Sequence, residues 1–349
     1  MKILWGRKPT LYQWFWACLL ILSYGGALKA QSDVPIISGG VGFFDNKEGG
    51  ANSFQPVIAP VVAIPIGDRW LIESRSNFTG VFNRQDGTTG PYQGQFFGTL
   101  EYLQVDYSVN SALTVTAGRF LTPFGIFNER LTPIWINRFQ DGPYIGTIGT
   151  AGGYADGLMA RGGWDAGSGL SINYTAYAST LSTVNKLESE RSAGGRFGVF
   201  FPKTRLEIGT SYNKSLQGAR GNSEGLDVSW DPYSAPLDVK GEWAHAPGGE
   251  GYWIEAAYRL SQYRGGSSAI GRLEPLIRMQ QFHRGQLIAG DFLPGINERR
   301  PDFGVNYYLP HEVRLHASYG RQFNDQRDSN IWEFGVVYRF LFPLWPGRD

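Results

Sequence analysis

The chain has 349 residues and a formal net charge of +1; charged residues make up only 18%, aromatics 15%, and glycines number 47. A soluble globular domain carries roughly 25% charge, so this composition points instead to many short strands joined by tight turns. The mean hydropathy of −0.26, with no run of 18 apolar residues after position 30, excludes membrane-spanning helices, and the near-neutral charge lacks the basic face that a nucleic-acid partner requires.

Residues 1–30 read as a secretory signal. Lys2, Arg7 and Lys8 form a basic start, Trp14 to Leu22 an apolar stretch too short for a comfortable span, and small residues follow up to Ala27 or Ala30. An uncleaved anchor is the alternative. Cleavage takes the net charge from +1 to −3 and removes Cys18, the only cysteine. A mature chain without cysteine has no disulfide, no thiolate zinc site and no thiol nucleophile.

From residue 31 onward the chain alternates with period two, interrupted by Gly, Pro, Asn, Asp and Ser clusters, and shows no sustained helical period. In 170–178, Leu170, Ile172, Tyr174, Ala176 and Ala178 alternate with Ser171, Asn173, Thr175 and Tyr177; Leu226, Val228 and Trp230 alternate with Asp227 and Ser229. The pattern predicts strands at 36–44, 57–66, 69–82, 95–109, 112–121, 157–165, 169–180, 193–201, 204–215, 224–232, 236–246, 250–261, 272–283, 301–309, 312–323 and 330–341. The second suits a strand poorly, with Pro56, Pro60 and Pro65, and the fourth changes phase near Glu101 to Leu103, as a bulge would. Connections mostly alternate in length. Gly67-Asp68, Asn110-Ser111 and Pro310-His311 are short, whereas 45–56, 83–94, 122–156, 181–192 and 284–300 are long; 262–271 is the exception, long where a short turn is expected.

Sixteen strands, two-sided loop lengths and aromatics near strand ends (Trp70, Phe82, Trp164, Trp230, Trp243, Trp332) fit a transmembrane antiparallel β-barrel spanning 31–341, with a short tail at 342–349. In lipid such a sheet must close, and about 16 strands enclose a lumen too wide for side chains to fill. The apolar half of each strand then meets outer-membrane lipid and the polar half lines water. The polar half includes Arg75, Arg161, Arg196, Arg205, Lys240, Arg259, Arg278 and Arg314, balanced by acids such as Glu73, Glu207, Glu255 and Glu333. A balanced wall argues against strong selectivity set by the whole lumen. The expected function is passive diffusion of small hydrophilic solutes or ions, with no cofactor.

Selectivity is expected from 122–156, a long segment without a strand of its own. Its apolar residues (Phe124, Ile126, Phe127, Leu131, Ile134, Trp135) are costly to expose, and folding into the lumen solves that. Glu129, Arg130, Arg138 and Asp141 become the constriction candidates. Alternatives are a secreted or periplasmic β-sheet glycan-binding protein, which should show repeats of 40 to 50 residues, and a barrel-borne hydrolase using His316 and Ser318, which share a face two residues apart.

Gly118 to Arg138, GRFLTPFGIFNERLTPIWINR, resembles the stretch that leads into the third loop of the phosphate-selective porin O and P family. The similarity is best over 95–165 and includes EYLQVDY at 101–107. The resemblance implies a 16-stranded barrel, commonly a homotrimer, with the third loop folded inward. Phosphate-selective members use a ladder of arginines and a lysine cluster, but 122–156 contains no lysine, so the architecture carries over and the phosphate specificity does not. The chain also continues nine residues past Phe340, the end of its aromatic alternation.

Overall fold

A computed structural model describes residues 34–84, 89–150, 153–167, 169–180, 191–216, 220–262, 269–288 and 290–344. The signal segment 1–30, residues 181–190 of one long connection, and the end of the tail at 345–349 lie outside the described residues.

Sixteen antiparallel strands form one closed barrel. They are β1 (Ile36–Glu48), β2 (Ala51–Ile66), β3 (Trp70–Arg84), β4 (Tyr92–Asn110), β5 (Leu113–Leu121), β6 (Tyr154–Asp165), β7 (Ser171–Ser179), β8 (Ser192–Phe201), β9 (Leu206–Ser215), β10 (Asn222–Trp230), β11 (Leu237–Ala246), β12 (Gly249–Tyr258), β13 (Leu273–Arg284), β14 (Glu298–Leu309), β15 (Val313–Asn324) and β16 (Ser329–Pro343). Each pairs with its sequence neighbours, and β1 closes the ring on β16, from Ile36 opposite Pro343 to Glu48 opposite Ile331. No edge is left to satisfy in hydrocarbon.

Burial along the strands is the inverse of a soluble sheet. On β13, Ile277 and Met279 are exposed while Arg278 and Gln280 are buried; on β15, Leu315 is exposed while Arg314 and His316 are buried. The apolar face looks outward all the way round, through Leu103, Leu158, Ile208, Leu226, Ile254 and Phe334. Exposed aromatics flank this belt at both ends. Trp70, Trp164, Phe201 and Trp230 lie at the strand ends on the side of the short 67–69 turn, and Phe82, Tyr212, Trp243 and Trp332 at the opposite ends.

Two irregularities have sequence causes. On β4 the partner of Arg75 is Tyr102 and that of Ser76 is Leu100, so Glu101 is the extra residue of a β-bulge, which accounts for the change of phase there. On β2 the pairing with β3 skips from Phe54 to Val57 and from Ile58 to Val61; Pro56 and Pro60, which have no N–H to give, fall in these gaps.

Two expectations are corrected. The loop placed at 45–56 is strand at both ends, and only Gly49-Gly50 turns the chain, both with positive φ. The tail does not begin at 342, because Phe342 and Pro343 still pair with Ile37 and Ile36. The other strand limits fall within three residues of expectation. The connection between β12 and β13 keeps its unexpected length, with a 3-10 turn at Leu260–Gln262 and another at Ile270–Arg272.

Candidate functional site

The segment between β5 and β6 makes hydrogen bonds to β3, β9, β11, β12, β13, β14 and β15, which it can reach only by running inside the ring. Its neck is pinned first. Asn128 Nδ2 donates to the carbonyls of Thr122 (2.9 Å) and Gly153 (2.7 Å), drawing the two ends of the loop together. Asn128 itself belongs to a single helical turn, Phe127–Leu131. Phe124, Ile126, Phe127, Ile145 and Ile148 pack into one buried cluster with Ala244, Trp253 and Phe282 of the wall.

Polar anchors fix the register. The N–H of Gly125 donates to Ser211 Oγ (3.0 Å) and that of Phe127 to Glu242 Oε2 (3.2 Å), a carboxylate also held by Trp253 Nε1. Gly125 has φ +63°, and a methyl group there would collide with the Glu242 carboxylate. Arg138 spans three acids of the wall: Asp238 at 2.6 Å, Glu274 at 2.8 Å and Glu255 at 3.4 Å. Burial opposes its charge, and Asp238, Glu274 and Glu255 more than offset that, so the guanidinium is held above its usual range. Arg278 donates to the Asp141 carbonyl (2.7 Å), and Arg314 to the carbonyls of Ile134 (2.7 Å) and Asn137 (2.6 Å). Arg300 meets the Asp141 carboxylate at 3.0 Å and also binds Asp302 and Glu333. Burial and the nearby Glu333 push Asp141 up to about 7, against the pull of Arg300.

These anchors seat the loop against the β9–β16 side and leave water space along β3–β8. A cavity of about 450 Å³ there is lined by Glu73, Tyr102, Gln104, Arg161, Asn173 and Arg196 from the wall and by Glu129 and Arg130 from the loop. A second cavity, of about 310 Å³, meets it at Leu121 and is lined by Arg75 and Glu101 together with Asn128 and Thr132. Arg75 reaches Thr132 Oγ1 at 3.0 Å and pairs with Glu101.

The sequence-derived candidates therefore fall into three groups. Glu129, Arg130, Glu73, Arg161 and Arg196 come together around the first cavity, with Glu207 just behind, accepting from Arg130 and Arg196; Arg75 borders the second. Arg138, Asp141, Arg278, Arg314, Glu255 and Glu333 hold the loop to the wall, and Lys240 pairs with Asp238 beside Arg138. Arg205 and Arg259 leave the wall. Arg205 is in the turn before β9 and pairs with Asp231, and Arg259 follows β12 and stacks on Tyr308. Alternation placed both inward, but each lies beyond the last ladder pair, where a strand's two faces cease to be distinct. Sequence reasoning missed Gly125 and Asn128, and placed Glu242 on the inner face without its role as an anchor; the signals are a glycine between Phe124 and Ile126 and an acid opposite Trp253 in the next strand.

His316 and Ser318 do share a face. Ser318 Oγ donates to Glu333 Oε2 (2.7 Å) and lies 3.2 Å from His316 Nε2. Both are buried, and Phe139 of the loop stacks edge-on against the imidazole. The hydroxyl is committed to a carboxylate under the loop.

No protein-family model matches the chain, and no curated protein matches it in sequence. Solved structures match in fold. Salmonella typhi OmpF, in complex with daunomycin, aligns at TM-score 0.61 and 13% identity over 88% of this chain and 98% of its own. An anion-selective porin from Comamonas acidovorans aligns at 0.56 and 12% over 88% and 100%, and a mutant of the Rh. blastica porin at 0.54 and 12% over 87% and 100%. The fold is a porin fold. At these identities the likeness is one of architecture, covering nearly the whole length of each porin.

Proposed function

We propose that the protein is an outer-membrane porin, a passive water-filled channel for small hydrophilic solutes or ions. The observation that carries this reading is the inside-out barrel whose inner loop leaves a charged water space beside it. In this reading residues 1–30 are the export signal, outer-membrane lipid surrounds the apolar belt, and the functional unit is a homotrimer, as the resemblance over 95–165 implies. Glu129 and Arg130 form the loop side of the constriction. Arg138 and Asp141, first candidates for the same role, act as anchors that fix its width. The phosphate specificity of the O and P family is not part of the proposal, since the arginines beside the water space are each matched by an acid.

The test is direct. The mature protein should partition with outer membranes, migrate faster unheated than heated on SDS gels, and give stepwise currents in planar bilayers. A correctly folded, heat-modifiable protein that never conducts would overturn the reading.

A further inference from the structure

We infer that the passage prefers cations, and that Glu73 and Glu129 are the residues that set the preference. This rests on the porin reading above and names the class of solute the same site favours.

The argument is a local charge balance. Arg196 Nε donates to Asp227 at 3.0 Å, Arg130 meets Glu207 at 2.8 Å, and Arg161 faces Asp106 at 3.6 Å. Each arginine on the cavity thereby has its own carboxylate on the wall, two strands away for Arg196 and Arg161, and Arg196 also shares Glu207 with Arg130. Arg75 and Glu101, at the second cavity, cancel in the same way. Two acids are left over. Glu73 receives only the long hydrogen bond of Gln104 Nε2 (3.4 Å), and among the described residues Glu129 has neither an ion pair nor a hydrogen bond. Both line the same cavity, one from the wall and one from the loop, so a solute passes between them. Were Glu129 to take up a proton, Glu73 would still leave the balance negative.

Position makes this excess matter more than the balanced sum over the whole wall. Asp238, Glu255, Glu274 and Arg278 are tied up with Arg138 and Asp141 of the loop, whereas Glu73 and Glu129 border the water. A narrow passage with low-dielectric walls focuses the field of such charges on whatever occupies it. At 0.1 M salt the Debye length is about 10 Å, enough to span the cavity, and at 1 M it is about 3 Å. A preference arising from two local carboxylates must therefore weaken as salt rises. A cavity of this volume is at the small end of ligand-sized spaces, which suits hydrated alkali ions and small protonated amines.

The experiment measures reversal potentials of the full mature protein in planar bilayers across a KCl gradient at pH 8. Wild type should show a potassium-to-chloride permeability ratio above one that declines toward one in molar salt. The double variant Glu73→Gln, Glu129→Gln should lose the preference at every salt concentration, and Arg161→Gln, which exposes Asp106, should strengthen it. Glu312→Gln, on an exposed turn, should leave the ratio unchanged. Wild-type channels with a ratio at or below one would overturn the inference and leave the porin reading intact, as would a double variant that retains the preference. A folded barrel without any conductance would overturn both.

Discussion

At the residue scale, the passage is shaped by a few residues that never touch a solute. Gly125 is the clearest. Its φ is positive, and the Glu242 carboxylate stands where a Cβ would be, so any other residue must displace that carboxylate from the Phe127 N–H. Gly125→Ala combines a left-handed backbone cost of roughly 1–3 kcal/mol with displacement of Glu242, which holds the Phe127 N–H. We expect the loop to leave its seat, seen as larger and noisier single-channel currents with the barrel still heat-modifiable; currents of wild-type size would show that the anchor is dispensable. Asp141 yields a prediction in pH. Its proton affinity is higher when the loop is docked, with a value near 7 against an ordinary 3.8, so the docked state binds the proton more tightly. Its contribution to docking is then fully present below about pH 4 and is lost as pH rises through about 7. Currents should be quieter at pH 5 than at pH 8, and Asp141→Asn should flatten that difference. Equal noise at both values in the wild type would contradict the assignment.

At the element scale, the β4 bulge keeps two stretches of strand in phase. Residues Leu103 to Tyr107 pair with both neighbours, whereas Tyr92 to Leu100 pair with β3 alone. Deleting Glu101 removes the extra residue, so one of these stretches must exchange its faces, and Arg75 loses its partner. The deletion should sharply reduce the heat-modifiable form while Glu101→Ala retains it, and similar yields from the two variants would show that the bulge is not required. The phase change at Glu101 was legible in the sequence, as were most strands, because a bilayer outside and water inside force strict alternation. The extension of β1 and β2 was not. Asn46, Lys47 and Glu48 face Ser53, Asn52 and Ala51 beyond the apolar belt, where neither face has to be apolar and the alternation disappears. The loop's seat was illegible for a different reason. Arg138 and Asp238 are a hundred residues apart, and nothing local says that Arg278 and Arg314 face a loop while Arg161 faces water. The sequence pattern places a side chain on the inner face, but only packing decides what it meets there.

At the scale of the whole molecule, everything depends on what surrounds the barrel. The outward belt would be an aggregation surface in water, and inside a bilayer it is the solvent match. Ile254 tests this. It lies midway along β12, is 51% exposed, and sits between the buried Trp253 and Glu255. On a soluble protein an arginine at such an exposed site would change stability by less than about 0.5 kcal/mol. On the lipid face at mid-depth it should cost about 2–4 kcal/mol, falling to roughly 0–1 kcal/mol at the interface. Ile254→Arg should therefore lower the urea midpoint of the protein folded into liposomes, with the slope unchanged. Thr204→Arg, in the turn between β8 and β9, should leave the midpoint in place. If the two substitutions behaved alike, hydrocarbon would not be what Ile254 faces, and the enclosed water, the seated loop and the charges along it would need another setting.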